Sequence, residues 1–178
     1  MVIFMVGSPL SGKSTIGKQI AKELNLDYFS TGDFAKGLGM DYREKSIKEE
    51  DISKEFDDKI IDEVVRLSST CEDVIIDGFP RSEKQILIAN GLGNHCVVIY
   101  LYLDPKVIAE RASTRQREGD NREDYVIGRI NSSIRLKMKL QSVYARDLVV
   151  YTIKGDGTDK DKLKQYVEEF VYVEKLYR

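Results

Sequence analysis

The sequence predicts an α/β fold of three layers, α/β/α, in which a five-stranded parallel sheet lies between two layers of helices. Short apolar runs of strand length alternate with segments in which apolar residues recur at helical spacing. Runs that are apolar throughout are typical of strands covered by helices on both faces, as in parallel sheets. The predicted strands lie at residues 2–6, 28–29, 74–76, 97–103 and 148–153.

Helical segments separate these strands. They are predicted over residues 16–24, 52–67, 82–89, 125–145 and 159–175. Pro105 opens one more helix, since a proline in the first helical turn loses no hydrogen bond. Residues 33–48 are charged, glycine-containing and poorly periodic, and no element is predicted there.

The composition fits one domain with a hydrophobic core. Hydrophobic residues make up 42% of the 178 residues, too many for a disordered chain. The net charge is −2, from 28 basic and 30 acidic side chains, so we expect neither a nucleic acid nor a membrane as partner. Two cysteines and one histidine argue against a disulfide framework and a zinc site. Residues 1–6 are too short for a signal sequence, and we expect a cytoplasmic monomer.

A glycine-rich segment, GSPLSGKST, lies between the first strand and the first helix at residues 7–15 and matches the P-loop pattern. Gly7 and Gly12 allow the backbone to curl so that successive N–H groups converge on a phosphate. The helix that follows adds the positive end of its dipole. Lys13 can reach the β- and γ-phosphates, and the Ser14 hydroxyl can hold Mg²⁺. The P-loop therefore predicts a bound nucleotide phosphate, although it does not identify the reaction.

A second polar segment, Asp-Gly-Phe-Pro-Arg, follows the third strand at residues 77–81. Asp77 can hold the waters around Mg²⁺, and Arg81 offers a bidentate fork to a phosphate group. Gln85 comes one helical turn later, so it should project near Arg81 and can pair with the edge of a purine base. Ser-Thr-Gly-Asp at residues 30–33 can form the other wall. Together these residues predict a second phosphate compound opposite the P-loop.

In these motifs and their order the chain resembles the adenylate kinase family of nucleoside monophosphate kinases. The resemblance implies transfer of the γ-phosphoryl group of ATP to AMP, giving two ADP, with Mg²⁺ as cofactor. It also implies a P-loop kinase core at residues 1–29, 61–114 and 125–178, with a small monophosphate-binding insert at about 30–60 and a short lid at about 115–124. Because related pyrimidine kinases carry Ala and Asn at the positions of Thr31 and Gln85, AMP is the favoured acceptor.

The resemblance also implies a role for each matching residue. ATP would be bound by Pro9, Leu10, Ser11, Gly12, Lys13, Ser14, Thr15, Arg111 and Arg115. The monophosphate would be bound by Thr31, Lys36, Gly78, Arg81, Gln85, Arg122 and Arg129. The catalytic charges would be Lys13, Arg81, Arg115, Arg122 and Arg129. Mg²⁺ would be held by Ser14 directly and by Asp77 through water.

Spacing alone does not decide what the arginines of residues 111–129 do. Arg111 and Arg115 are one helical turn apart, and Arg122 and Arg129 are seven residues apart, so each pair can share a helix face. Such a cluster suits the charge on a transferring phosphoryl group, but it also suits a solvated surface with acidic partners. The P-loop and the Asp-Gly-Phe-Pro-Arg segment favour the first interpretation.

Several departures from the family pattern leave the acceptor and the turnover open. Lys36 stands where the family has an arginine, so the bidentate fork is lost at that position. Residues 37–60 lack the family's usual Val-Pro-Asp-like stretch, and only one of the two acids expected in the lid is present. The acceptor could instead be CMP, UMP or a deoxynucleotide. The P-loop would also suit a kinase for a shikimate-like alcohol or a nucleotide-binding module with weak catalysis.

Overall fold

The computed structural model describes residues 1–39, 54–114, 123–142, 148–155 and 160–176. Five strands form one sheet, in the order β2-β3-β1-β4-β5, and every neighbouring pair is parallel. The strands are β1 Val2–Gly7, β2 Asp27–Ser30, β3 Val74–Asp77, β4 Cys96–Tyr102 and β5 Val149–Lys154. The predicted fold class is therefore confirmed, and each predicted strand is present within two residues of its expected bounds.

Seven α-helices occur in the described ranges. They are α1 Lys13–Leu24, α2 Thr31–Gly37, α3 Lys54–Thr70, α4 Glu83–Gly91, α5 Pro105–Thr114, α6 Glu123–Leu140 and α7 Lys160–Leu176. A short 3₁₀ turn, Gly93–His95, precedes β4. Pro105 does begin α5, as its position in the sequence indicates.

The two faces of the sheet bury separate hydrophobic clusters, because successive strand residues point to opposite sides. On one face α3, α4 and α6 pack on alternate residues of the strands, such as Phe4, Ile76 and Val98. On the other face α1 and α7 pack on the intervening residues, such as Ile3 and Ile99. This arrangement gives the three α/β/α layers.

Helix α2 is absent from the sequence-based prediction. Its N-cap is Ser30, whose Oγ accepts a hydrogen bond from the Asp33 N–H at 3.1 Å. Thr31 and Ala35 are its buried residues, so its inner face packs although the segment is short and charged. The capping signal outweighs the weak periodicity of this stretch.

The strand order decides which loops meet. β1 lies between β3 and β4, so the P-loop that follows β1 adjoins the turn after β3. Both lie at the carboxyl edge of the sheet, where ligands of such folds bind. Residues 40–53 of the predicted insert and 115–122 of the predicted lid lie outside the described residues. The division into core, insert and lid therefore stays a prediction.

Candidate active site

The P-loop is fixed to strand β4 by its first two residues. Gly7 has φ of 141°, and a Cβ there would lie 2.1 Å from the Leu101 carbonyl oxygen. The Ser8 N–H donates to that oxygen at 2.9 Å, and the Ser8 Oγ accepts from the Leu103 N–H at 3.1 Å. Only glycine fits the close approach at residue 7, so the start of the loop is set by backbone packing.

The rest of the loop curls through two left-handed residues. Leu10 has φ of 60° and Gly12, the N-cap of α1, has φ of 79°. Pro9, within the loop, is buried. Helix α1 begins at Lys13, and Thr15 is exposed in its first turn. The first N–H groups of a helix have no partner within the helix, so this turn presents donors and a positive dipole end. Such a concavity suits an anion.

Ser14 connects the P-loop to strand β3. Its hydroxyl donates to Asp77 Oδ2 at 2.5 Å, and the Tyr28 hydroxyl donates to the same oxygen at 2.9 Å. Burial, followed by the charge of Asp77, raises the pKa of Tyr28 above its ordinary value, so the phenol keeps its proton as a donor. Asp77 Oδ1 is buried and has no hydrogen-bond partner in the described part of the chain.

These residues fit a magnesium ion. An unpaired buried carboxylate oxygen is costly, and a cation or its bound water would satisfy Asp77 Oδ1. The Ser14 hydroxyl oxygen, which contacts the other oxygen of this carboxylate, is a second hard ligand. Across the described ranges no group of three His, Cys, Asp or Glu side chains could hold a metal. An ion at this place would therefore take most of its ligands from phosphates and water, as Mg²⁺ usually does.

The turn after β3 holds Arg81 at the carboxyl edge of the sheet. Gly78 has φ of 94°, and a Cβ there would lie 2.5 Å from Thr31 Oγ1 and 2.7 Å from Arg81 Nη2. The Arg81 Nε–H donates to the Gly78 carbonyl at 2.7 Å, while Arg81 as a residue is exposed. Thr31 Oγ1 donates to the Asp77 carbonyl at 3.0 Å. Thr31, Gly78 and Arg81 thus form one contact group.

Gln85 lies near Arg81, as predicted, although Arg81 precedes the N-cap Ser82 and is not part of α4. Gln85 also contacts a residue that the sequence did not single out. Its Oε1 accepts from the Arg81 N–H at 2.7 Å. Its Nε2 donates to Asp57 Oδ1 on α3 at 2.5 Å. Gln85 is 1% exposed, so this amide is enclosed. No local motif marks Asp57, because its partner is 28 residues away.

Arg111 joins the P-loop to the end of β5. Its Nη1 donates to the Leu10 carbonyl at 2.8 Å and to the Gly155 carbonyl at 3.3 Å. A Cβ at Gly155 would lie 2.9 Å from Ser11 Cβ, so the two loops are in close contact. The Ser11 hydroxyl is buried without a hydrogen-bond partner among the described residues, which leaves a polar group directed into this loop.

The other predicted site residues are placed less completely. Lys36 is exposed in the last turn of α2, and Arg129 is half-buried on α6. Arg115 and Arg122 lie outside the described residues. The structure thus brings together Ser14, Asp77 and the group around Arg81. Tyr28 joins them as a residue that sequence reasoning missed, although the register of β2 with β3 places it on the same face as Asp77.

No helix in the described ranges has the length and apolar character that a membrane crossing needs.

The family described as AAA domain matches residues 6–126 of the chain. An adenylate kinase from Thermococcus sibiricus is 34% identical over 125 residues, which are 65% of this chain and 54% of that protein. This chain therefore spans about half the length of that relative.

Two further proteins match almost the whole chain. A cytidylate kinase from Sulfurisphaera tokodaii is 28% identical, and the match covers 96% of this chain and 95% of that one. The crystal structure of a shikimate kinase from Aquifex aeolicus has a TM-score of 0.61 and 16% identity, with 99% of both chains covered. The shikimate kinase shows that the fold is that of P-loop kinases. The chain belongs to the AAA domain family of P-loop proteins, and its resemblance to the adenylate kinase family of nucleoside monophosphate kinases is confirmed.

Proposed function

We propose that this protein is a nucleoside monophosphate kinase that transfers the γ-phosphoryl group of ATP to AMP. The observation that carries the proposal is the 2.5 Å contact between Ser14 and Asp77. This contact joins the P-loop to the turn that holds Arg81, so the element we assign to ATP and the element we assign to the acceptor phosphate follow neighbouring strands. A protein that only hydrolysed or bound one nucleotide would not need the second element.

The P-loop residues, with Lys13, would hold the phosphates of ATP. Arg81, assisted by Lys36, would hold the phosphate of the monophosphate. A phosphate oxygen of the acceptor attacks the γ-phosphorus, the bond from that phosphorus to the β–γ bridging oxygen breaks, and two diphosphates result. The attacking oxygen is already nucleophilic, so neither a general base nor a covalent enzyme intermediate is needed.

The protein would contribute position and charge. Lys13, Arg81 and Arg129, together with Arg115 and Arg122, would stabilise the charge that spreads over the transferring group. Arg111 would fix the P-loop against the Gly155 loop, beside the base of ATP. Ser14 and Asp77 would hold Mg²⁺, which neutralises phosphate charge when it is bound. Closure of residues 115–124 as a lid would exclude water from the reaction.

CMP is the second candidate acceptor. The Sulfurisphaera tokodaii relative is a cytidylate kinase and covers 96% of this chain. AMP is favoured by Thr31 and Gln85, which the family resemblance assigns to an adenine site. Both residues are buried and hydrogen-bonded within the protein. The identity of the base therefore depends on which of their polar atoms a ligand can reach.

A coupled assay with ATP and a panel of monophosphates tests the proposal. We expect ADP formation, with AMP or CMP as the best acceptor. Arg81→Ala should lower kcat/KM for the monophosphate by about 100-fold, because the acceptor phosphate and the transferring group lose a charge partner. ATP binding should be unchanged, because the P-loop residues hold ATP. Lys84→Ala is the matched control, since Lys84 pairs at the surface with Asp58. Bound ATP without transfer to any monophosphate would contradict the proposed function.

A further inference from the structure

The two residues expected to hold the base of the monophosphate are almost completely buried. Thr31 and Gln85 are each 1% exposed. The Thr31 hydroxyl donates to the Asp77 carbonyl. The orientation of the Gln85 amide follows from its partners, because the Arg81 N–H can only donate and the Asp57 carboxylate accepts. Gln85 Oε1 is therefore directed at the backbone N–H of Arg81.

Asp57 instead offers hydrogen-bond acceptor atoms to the base of the monophosphate. This residue is half-buried on α3, and its Oδ1 takes one N–H of Gln85. An ionised carboxylate offers about four acceptor positions, so one hydrogen bond leaves most of them available. The neighbouring Asp58 faces a different partner, Lys84, at the protein surface. Of these two carboxylates only Asp57 is directed at Gln85.

One hydrogen-bonded chain runs from Arg81 through Gln85 to Asp57. The Arg81 N–H contacts Gln85 at 2.7 Å, and Gln85 contacts Asp57 at 2.5 Å. This chain links the Asp57 carboxylate to the backbone of Arg81, whose guanidinium group donates separately to the Gly78 carbonyl. The guanidinium group suits a phosphate, and the carboxylate suits an N–H donor and repels carbonyl oxygens.

Resting on the proposed function, we propose that Asp57 is a specificity-determining residue of the acceptor site. Its carboxylate accepts a hydrogen bond from the exocyclic amino group of the base, and Gln85 positions that carboxylate. The acceptor is thus a monophosphate whose base carries an amino group next to a ring nitrogen, as adenine and cytosine do. The oxo counterparts, hypoxanthine and uracil, place a carbonyl oxygen against the carboxylate.

The test compares kcat/KM for AMP with IMP and for CMP with UMP. Of these two pairs, the one that contains the better substrate is used. In that pair the kcat/KM of the wild type should be about 10- to 100-fold higher for the amino base than for the oxo base, the range expected for a hydrogen bond to a charged group. In Asp57→Asn the amide oxygen keeps the contact with Gln85, and the amide nitrogen becomes a donor toward the base. This ratio should then fall by about 10-fold or more, with the oxo nucleotide gaining in absolute rate. Asp58→Asn, the matched control, should leave the ratio within about twofold.

Each outcome decides the inference. A wild type that transfers to monophosphates but does not distinguish amino from oxo bases overturns it and leaves the proposed function intact, as does an Asp57→Asn variant whose ratio matches that of Asp58→Asn. A wild type that binds ATP and transfers to no monophosphate overturns the proposed function and this inference with it. If Asp57→Asn does not fold, the wild-type ratio for AMP against purine riboside monophosphate, which lacks the amino group, decides: a ratio near one overturns the inference.

Discussion

The P-loop and the group around Arg81 occupy neighbouring strands but are held in different ways. The P-loop is packed on the backbone of β4 through Gly7 and Ser8. Arg81 and Gln85 are held by side-chain contacts that reach α3. A site made by backbone packing depends on residues that permit one conformation, whereas a site made by side-chain contacts can change its preference through one substitution. We therefore expect substitutions in the P-loop to lower stability and those near Gln85 to change specificity.

The largest effect on stability is expected for Gly7→Ala. The new Cβ would lie 2.1 Å from the Leu101 carbonyl oxygen at φ of 141°, so β1 and β4 would have to separate. Together, strain and overpacking should lower the free energy of unfolding by about 3 kcal/mol or more, measured by urea denaturation.

Gly12→Ala is the matched comparison for Gly7→Ala. Its φ is 79°, but the nearest atom to a Cβ is Ile16 Cδ1 at 3.8 Å, so only the left-handed conformation is unfavourable. The loss should be about 1 kcal/mol. Equal losses for the two variants would show that packing against β4 does not hold the P-loop.

A smaller effect is expected for Tyr28→Phe, which removes one of the two donors to Asp77 Oδ2. Asp77 Oδ2 would keep Ser14 as a donor and lose the phenol at 2.9 Å. We expect a loss of about 1 kcal/mol in the free energy of unfolding and a fall of about 3- to 10-fold in kcat. Tyr172→Phe, at a residue that is 66% exposed, is the control. An unchanged kcat in Tyr28→Phe would mean that Ser14 alone orients Asp77.

What the sequence predicted well comes from continuous motifs that each follow a strand and from the order of those strands. The P-loop is a continuous motif between a strand and a helix, and the proximity of Ser14 to Asp77 follows once β1 and β3 are neighbours. Gln85 does lie near Arg81, but Arg81 precedes the N-cap Ser82, so the contact is a side-chain bond to the backbone before the helix rather than one helical repeat. The backbone conformation within the P-loop was harder to predict from the sequence. Leu10 adopts a left-handed φ of 60°, which non-glycine residues rarely do, and no sequence pattern indicates it.

What the sequence did not reveal depends on contacts between elements where at least one partner belongs to no motif. Tyr28 is 49 residues from Asp77, and Asp57 is 28 residues from Gln85. The first contact needs the register of β2 against β3, and the second needs the packing of α3 beside α4. Helix α2 is different, because its Ser30 cap and Asp33 could have been recognised locally. Weak periodicity hid a short helix whose capping signal was present.

The smallest effect is expected at a side-chain contact of the P-loop helix itself, and it tests whether backbone packing dominates in this half of the site. Glu23, near the end of α1, accepts from Lys164 of α7 at 2.9 Å and from Gln19 at 2.7 Å. The Lys164 contact, followed by that of Gln19, holds the pKa of Glu23 below its ordinary value of 4.5. A lowered folded-state pKa stabilises the protein above the unfolded pKa, and this stabilisation is lost as the pH falls through the folded value.

Stability should therefore fall more steeply in the wild type than in Glu23→Gln as the pH is lowered from about 5 to 3. Thermal unfolding across this range measures the difference, and added salt should reduce it because the pair is at the surface. Glu168→Gln is the control, since its carboxylate is 3.8 Å from the same ammonium group and should contribute less. If Glu23→Gln lowered stability at neutral pH as much as Gly7→Ala does, side-chain contacts would hold α1 and its P-loop as firmly as the backbone packing on β4 does.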